Sequence, residues 1–165
     1  MTTEDHYFHG SKIGGIKQLE PRLYQQVTNR PVVFATADKD YALAMIHASG
    51  AELAVSYALD IQTGKRTMFV DELKPNVLLE LEKSGYLYEF ASHSFEPSPE
   101  DLEGEYVSYA TVFVLKEMFV ENVRKTLEAS GVQVVAYDCV LASMKSRGKD
   151  PIRPRREHAE DRFVR

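Results

Sequence analysis

Alternation of apolar and polar positions dominates this chain, and helical spacing is confined to a few stretches. From Asp5 to Gly10, Tyr7 and His9 fall on one face and His6 and Phe8 on the other before a glycine, which predicts a strand ending in a turn. Ile13, Ile16 and Leu19 recur at intervals of three between Gly14-Gly15 and Pro21, which predicts one short helical turn. Residues 22 to 29 are polar and read as a loop. Pro31-Val32-Val33-Phe34-Ala35 reads as a short buried strand. Thr36 is placed to cap a helix with Asp38 and Asp40 in its first turn, running from Tyr41 to Ser49 and stopped by Gly50.

Further along, Glu52 to Ile61 and Lys65 to Val70 alternate around Thr63-Gly64, which predicts a hairpin. Leu78 to Ser84, with Glu80 and Glu82, reads as a surface segment. Gly85 to Ala91 is a strand with Tyr86, Tyr88 and Phe90 on one face, and Pro97-Ser98-Pro99 breaks the chain before the acidic stretch Glu100 to Glu105. Tyr106 to Val114 is another strand. Phe119, Val123 and Leu127 recur every four residues with Val120 beside them, predicting an amphipathic helix that Gly131 ends before the strand Val132 to Tyr137. Strands that follow strands predict an α+β domain of two packed, mainly antiparallel sheets with two principal helices, because a doubly wound parallel sheet needs a helix between successive strands.

Composition narrows the class. A chain of 165 residues, 44% hydrophobic and 27% charged, suits one domain with a true core. No apolar run reaches the ~18 residues of a membrane span, and the first ten residues lack the basic-then-apolar pattern of a secretory signal. The single cysteine, Cys139, excludes an intrachain disulfide and a CxxC motif, and its place after an apolar strand predicts a buried structural thiol. A soluble, cytoplasmic protein is expected. The net charge of -5 gives no global reason to bind polyanions. Residues 145–165, however, carry eight Lys/Arg against four Asp/Glu, so the expected organisation is a body, 1–144, with a basic C-terminal tail, 145–165. A solvated tail is the simpler reading of that charge, and nucleic-acid contact through it the sharper one.

Candidate chemistry concentrates at the start. His9, Gly10 and Ser11 end a strand with an imidazole, a residue whose backbone a flat ligand can approach, and a hydroxyl. His6 and His9 point to opposite faces of a strand and cannot chelate one metal, and no other metal-ligand spacing occurs. Gly14-Gly15 lacks the Gly-Lys-Ser/Thr of a phosphate loop. Arg22 and Arg30 border the polar loop, where they could meet a diphosphate or simply face solvent.

Three blocks taken in order, His9-Gly10-Ser11, then Val33-Phe34-Ala35-Thr36 before a helix, then Glu105-Tyr106 opening a late strand, give the chain a likeness. It resembles the ADP-ribosyltransferases of the poly(ADP-ribose) polymerase and diphtheria-toxin branch. The resemblance implies that NAD is the substrate, with His9 on the adenosine ribose, the Gly10 backbone on the nicotinamide amide and Ser11 beside them. It implies that Glu105 binds the nicotinamide ribose and stabilises an oxocarbenium-like transition state, which is electrostatic work needing no proton transfer. Val33 stands where that branch has a stacking tyrosine, so the aromatic wall falls to Phe34, Tyr24 or Tyr41. The implied activity is ADP-ribosyl transfer to an unknown acceptor, protein or nucleic acid, with release of nicotinamide. Two alternatives stay open: a catalytically inactive nucleotide-binding or protein-interaction module of the same fold, and an RNA 2'-phosphotransferase-like enzyme that also consumes NAD.

Overall fold

The computed structural model describes residues 5–23, 29–47, 52–99 and 104–146. Within them the alternating segments form strands β1 (His6–Ser11), β2 (Gln18–Leu19), β3 (Val33–Thr36), β4 (Leu53–Leu59), β5 (Arg66–Glu72), β6 (Gly85–Ala91), β7 (Glu96–Pro97), β8 (Glu105–Ser108), β9 (Val112–Phe113), β10 (Lys116–Val120) and β11 (Gln133–Val135). The helices are α1 (Lys39–Ala44), α2 (Leu78–Leu81), α3 (Val123–Ala129) and α4 (Tyr137–Ser146). The class is α+β, as the alternation implies. A six-stranded sheet runs β10-β6-β1-β3-β8-β7 with every neighbour antiparallel. A second sheet, β11-β5-β4, contains the β4–β5 hairpin and a parallel pairing of β11 with β5, and β2 pairs with β9.

Side-chain alternation assigns the large sheet two faces. Phe34, Leu87 and Val107 point inward, where Val55, Met68 and Val70 of the second sheet, Leu43 and Ile46 at α1, and Val123 and Leu127 of α3 complete the main core, with Phe8 packed against it. Val33, Tyr88 and Phe90 point outward into a smaller core closed by Val112 of β9, Leu19 of β2 and Ile16. Both faces of the large sheet are therefore covered, one by α1 and the second sheet, the other by the short β2–β9 ribbon.

The inner packing depends on two glycines. A Cβ at Gly10 would stand 2.2 Å from the Ala42 carbonyl oxygen and 2.7 Å from Ile46 Cγ1, and one at Gly85 would stand 2.5 Å from Ile46 Cγ2. Ile46 thus sits in a socket whose two walls lack side chains, and the fully buried Ala42 and Ala44 let α1 settle onto the strands. The space on the side-chain side of Gly10 is filled by the α1 backbone and Ile46, not left open to a ligand.

Several expectations are corrected. Residues 13–19 form no helical turn and give only β2, because Ile16 and Leu19 pack on the sheet through an irregular path instead of along a helix face. Asp38, not Thr36, caps α1: its Oδ1 accepts from the backbone N–H groups of Asp40 and Tyr41 at 3.0 and 3.2 Å. Residues 48–51, where that helix was expected to end, lie outside the described residues. Leu78 to Leu81 is a helical turn that buries Leu78 and Leu81. Phe119 and Val120 belong to β10, and Asn122 caps α3 by accepting from Lys125 N–H at 2.9 Å, so the four-residue spacing spans a strand and a helix. Helix α4 replaces the end of the last expected strand, and Cys139 on it is exposed, not buried. Residues 147–165, most of the basic tail, lie outside the described residues. Among those described, no helix is long and apolar enough to cross a membrane.

Gly10→Ala must push α1 off the sheet or strain β1, and overpacking of this kind costs about 1–3 kcal/mol. The melting temperature of the variant, followed by circular dichroism, is expected to fall by roughly 2–12 °C for a chain of this size. A melting temperature equal to that of the parent would contradict the socket.

Candidate functional site

The three sequence blocks, nearly a hundred residues apart at their extremes, fold into three consecutive strands at the centre of the large sheet, β1, β3 and β8. Phe8 stands opposite Thr36, and Thr36 opposite Glu105. In the next row Ala35 stands opposite Tyr106, and the antiparallel register of β1 with β3 brings His9 beside Ala35. His9 and Glu105 are therefore two strand spacings apart, about 10 Å across the sheet. Both are buried, at 5% and 6% exposure.

Alternation sets them on opposite faces. Glu105 shares parity with Val107, which lies in the main core, whereas His9 shares parity with Tyr7, whose ring stacks on Tyr106 at 4.0 Å on the outer face. His9 and Glu105 therefore do not line one common hollow, and what their strands share is the sheet end. There β3 stops at Thr36 and β8 begins at Glu105, while β1 continues outward through Tyr7 and His6 alongside β6.

His9 is fixed by its backbone neighbour. Its Nδ1 lies 3.0 Å from the Phe34 carbonyl oxygen, and because a carbonyl only accepts, Nδ1 carries the proton. Burial pushes the imidazole below its ordinary range, outweighing the Phe34 carbonyl, which favours the charged ring, and the nearby Arg22 charge depresses it further. With Nδ1 protonated, the lone pair of the neutral ring lies on Nε2. Ser11 Oγ accepts from Ile13 N–H at 3.1 Å and so shapes the turn that follows.

On the inner side the Glu105 end is braced by polar contacts. Thr36 Oγ1 accepts from Asp38 N–H at 3.1 Å, and Asp38 Oδ2 accepts from the Tyr57 hydroxyl at 2.9 Å. Asp38 thereby ties α1 to β4 of the second sheet. Burial and the Asp38 charge push the Tyr57 phenol well above its ordinary range, so it is a permanent donor. The Arg66 guanidinium lies 3.7 Å above the Tyr57 ring.

The remaining predicted residues divide. Phe34 is 1% exposed with its ring in the main core, so its carbonyl, not its ring, serves the site. Tyr41 is half-buried against the same core at the first turn of α1. Tyr24 lies outside the described residues. Val33 is buried in the outer core, so that position offers no ring to a ligand. Arg30 stacks over Tyr109 at 4.2 Å, beyond the far end of β8 from Glu105. His6 shares the inner face and pairs with the Glu89 carboxylate. Among the described residues no cluster of His, Cys, Asp or Glu could hold a metal ion.

Two participants escape the sequence reading. Tyr88 reads as strand packing and is fully buried, yet its hydroxyl lies 2.7 Å from both the Ile13 carbonyl and Glu117 Oε2. Glu117 is assigned no role from the sequence, and nothing in the local pattern joins it to the segment after Ser11. No family model, curated protein or solved structure matches the chain.

Two histidines impose a pH dependence. His9 and His47, the latter donating through Nε2 to Ser84 O at 2.9 Å, are both held by burial below the ordinary value of 6.5. Protonation then favours the unfolded chain, so their stability contribution is complete above pH 6.5 and is lost as the pH falls toward their folded values. Urea midpoints are expected to be flat from about pH 8 to 7 and to fall below about pH 6.5, with a shallower fall in His9→Gln. Equal slopes for variant and parent would contradict a depressed His9.

Proposed function

We propose that the chain is an NAD-dependent ADP-ribosyltransferase that releases nicotinamide. The observation that carries this reading is the adjacency of the His9, Thr36 and Glu105 strands, which brings the three blocks of the resemblance into one sheet centre. In this reading Nε2 of the neutral His9 accepts a ribose hydroxyl proton of the adenosine half on the outer face. The dinucleotide crosses the sheet end beside Tyr7 and delivers its nicotinamide ribose to Glu105 on the inner face. As the glycosidic bond breaks, positive charge develops on the ribose and the fixed Glu105 carboxylate stabilises it, while nicotinamide leaves with the bonding electron pair. The acceptor, a nucleophile on a protein or nucleic acid, then forms the new bond to that carbon and loses its proton.

A second reading is favoured by a particular observation. Val33 and the Phe34 ring are both consumed by cores, so the strand that supplies an aromatic wall in the resembled family supplies none here. This supports a module of the same architecture that binds a nucleotide without turning it over.

Glu105→Gln separates them. Under the transferase reading the variant keeps NAD affinity and loses roughly 100- to 1000-fold in nicotinamide release, the usual cost of removing one preorganised electrostatic partner. His9→Ala weakens NAD binding about 3- to 10-fold by deleting one hydrogen bond. Nicotinamide release assayed with labelled NAD, alongside calorimetric titration, reads both. Saturable binding without release by the parent supports the module, and undiminished release by the Gln variant removes Glu105 from the chemistry.

A further inference from the structure

The segment that follows the His9-Gly10-Ser11 strand is held down by groups from two other strands. Along the outer face, His9 stands opposite Tyr88 of β6, and Tyr88 stands opposite Glu117 of β10, so the three side chains share one row. The Tyr88 hydroxyl lies 2.7 Å from the Ile13 carbonyl and 2.7 Å from Glu117 Oε2, and Ile16 N–H donates to the same hydroxyl at 3.3 Å. Gly15 N–H donates to Glu117 Oε2 at 2.6 Å. Gly15 has φ +77, a conformation that a glycine adopts without cost, and it aims that N–H at the carboxylate. Gly14 packs so closely on the Tyr86 ring that a Cβ would lie 2.4 Å from its Cζ. Three polar contacts and one close contact thus fasten residues 13–16 to β6 and β10, and the Tyr88–Glu117 contact joins the two anchors to each other.

From this row we infer that Tyr88 and Glu117 are positioning residues for substrate binding. They hold the 13–16 strap over the outer face beside His9 and so set the shape of the surface on which the adenosine half of NAD rests. The inference rests on the proposed NAD reading and deepens it. Three features favour positioning over a purely structural brace. Glu117 is exposed, so its place in the network answers no burial demand. Besides the Tyr88 hydroxyl, its carboxylate takes a bond from the backbone of the strap, at Gly15 N–H. The buried hydroxyl that completes them belongs to the direct neighbour of His9. The Tyr88 hydroxyl and Gly15 N–H stabilise the Glu117 carboxylate and hold it below the ordinary range, so the clamp is charged at neutral pH.

The test compares Glu117→Gln and Tyr88→Phe with the parent by calorimetric titration of NAD and by steady-state nicotinamide release. Loosening the strap is expected to raise the Kd and KM for NAD about tenfold in Tyr88→Phe and several-fold in Glu117→Gln, since hydrogen bonds to charged groups are the stronger class. The loss in kcat/KM should lie in KM, with kcat changed about twofold or less, the signature of lost ground-state binding. Amide hydrogen exchange at Gly15 and Ile16 should quicken in both variants, and NAD should slow it in the parent. Should Tyr88→Phe fail to fold, the exposed Glu117→Gln carries the test alone. NAD Kd values equal to the parent's, with faster exchange or a lower melting temperature, would show a structural brace and overturn the inference alone. A parent that binds no NAD would overturn it together with the functional reading.

Discussion

The seating of Ile46 against Gly10 and Gly85 is the constraint on which the rest of this structure depends. Because neither strand residue has a side chain, α1 approaches until the Ala42 carbonyl lies where a Cβ of Gly10 would be. That depth brings the inner face of the large sheet, α1 and the second sheet into one close-packed core, where small volume changes are felt. It also fixes where α1 begins, hence where Asp38 stands, and Asp38 is the residue that links Thr36 to Tyr57 across the two sheets. The glycine of the first block serves packing and site placement at once.

Much of this was legible along the chain because strand alternation is a local signal. The strands His6–Ser11, Leu53–Leu59, Arg66–Glu72 and Gly85–Ala91 follow from period-two patterning and their turn residues, and Val33–Thr36 from a short apolar run. The errors share a cause. Where apolar residues recur at three or four, as at Ile13, Ile16 and Leu19 or at Phe119, Val123 and Leu127, spacing does not show whether one element or two supplies them. The decision belongs to partners distant in sequence: Phe119 packs on Tyr86 across the β6–β10 pairing, and Leu19 pairs with Val112. Short α2 escaped for the same reason, since Leu78 and Leu81 are buried by elements elsewhere, with Leu78 N–H donating to Glu72 at 3.0 Å.

The candidate site was legible in its residues and not in its geometry. Residue type and order single out His9, Gly10, Ser11 and Glu105, and topology joins their strands. Which face each side chain takes is set by register, which no local pattern specifies when a strand has both faces buried. The tautomer of His9 depends on the Phe34 carbonyl, and the strap depends on Tyr88 and Glu117, contacts made across 25, 75 and 102 residues of sequence.

In the proposed reading a dinucleotide engages the sheet end where β1, β3 and β8 meet, with its two halves on opposite faces. A titration of isotopically labelled protein with NAD, followed by amide chemical shifts, tests it most directly. The account predicts saturable shifts concentrated at residues 7–16, at Thr36 and Ala37, and at Glu105 and Tyr106, with β5, β11 and α4 unmoved. Saturable shifts centred elsewhere, or none at millimolar NAD, would contradict it.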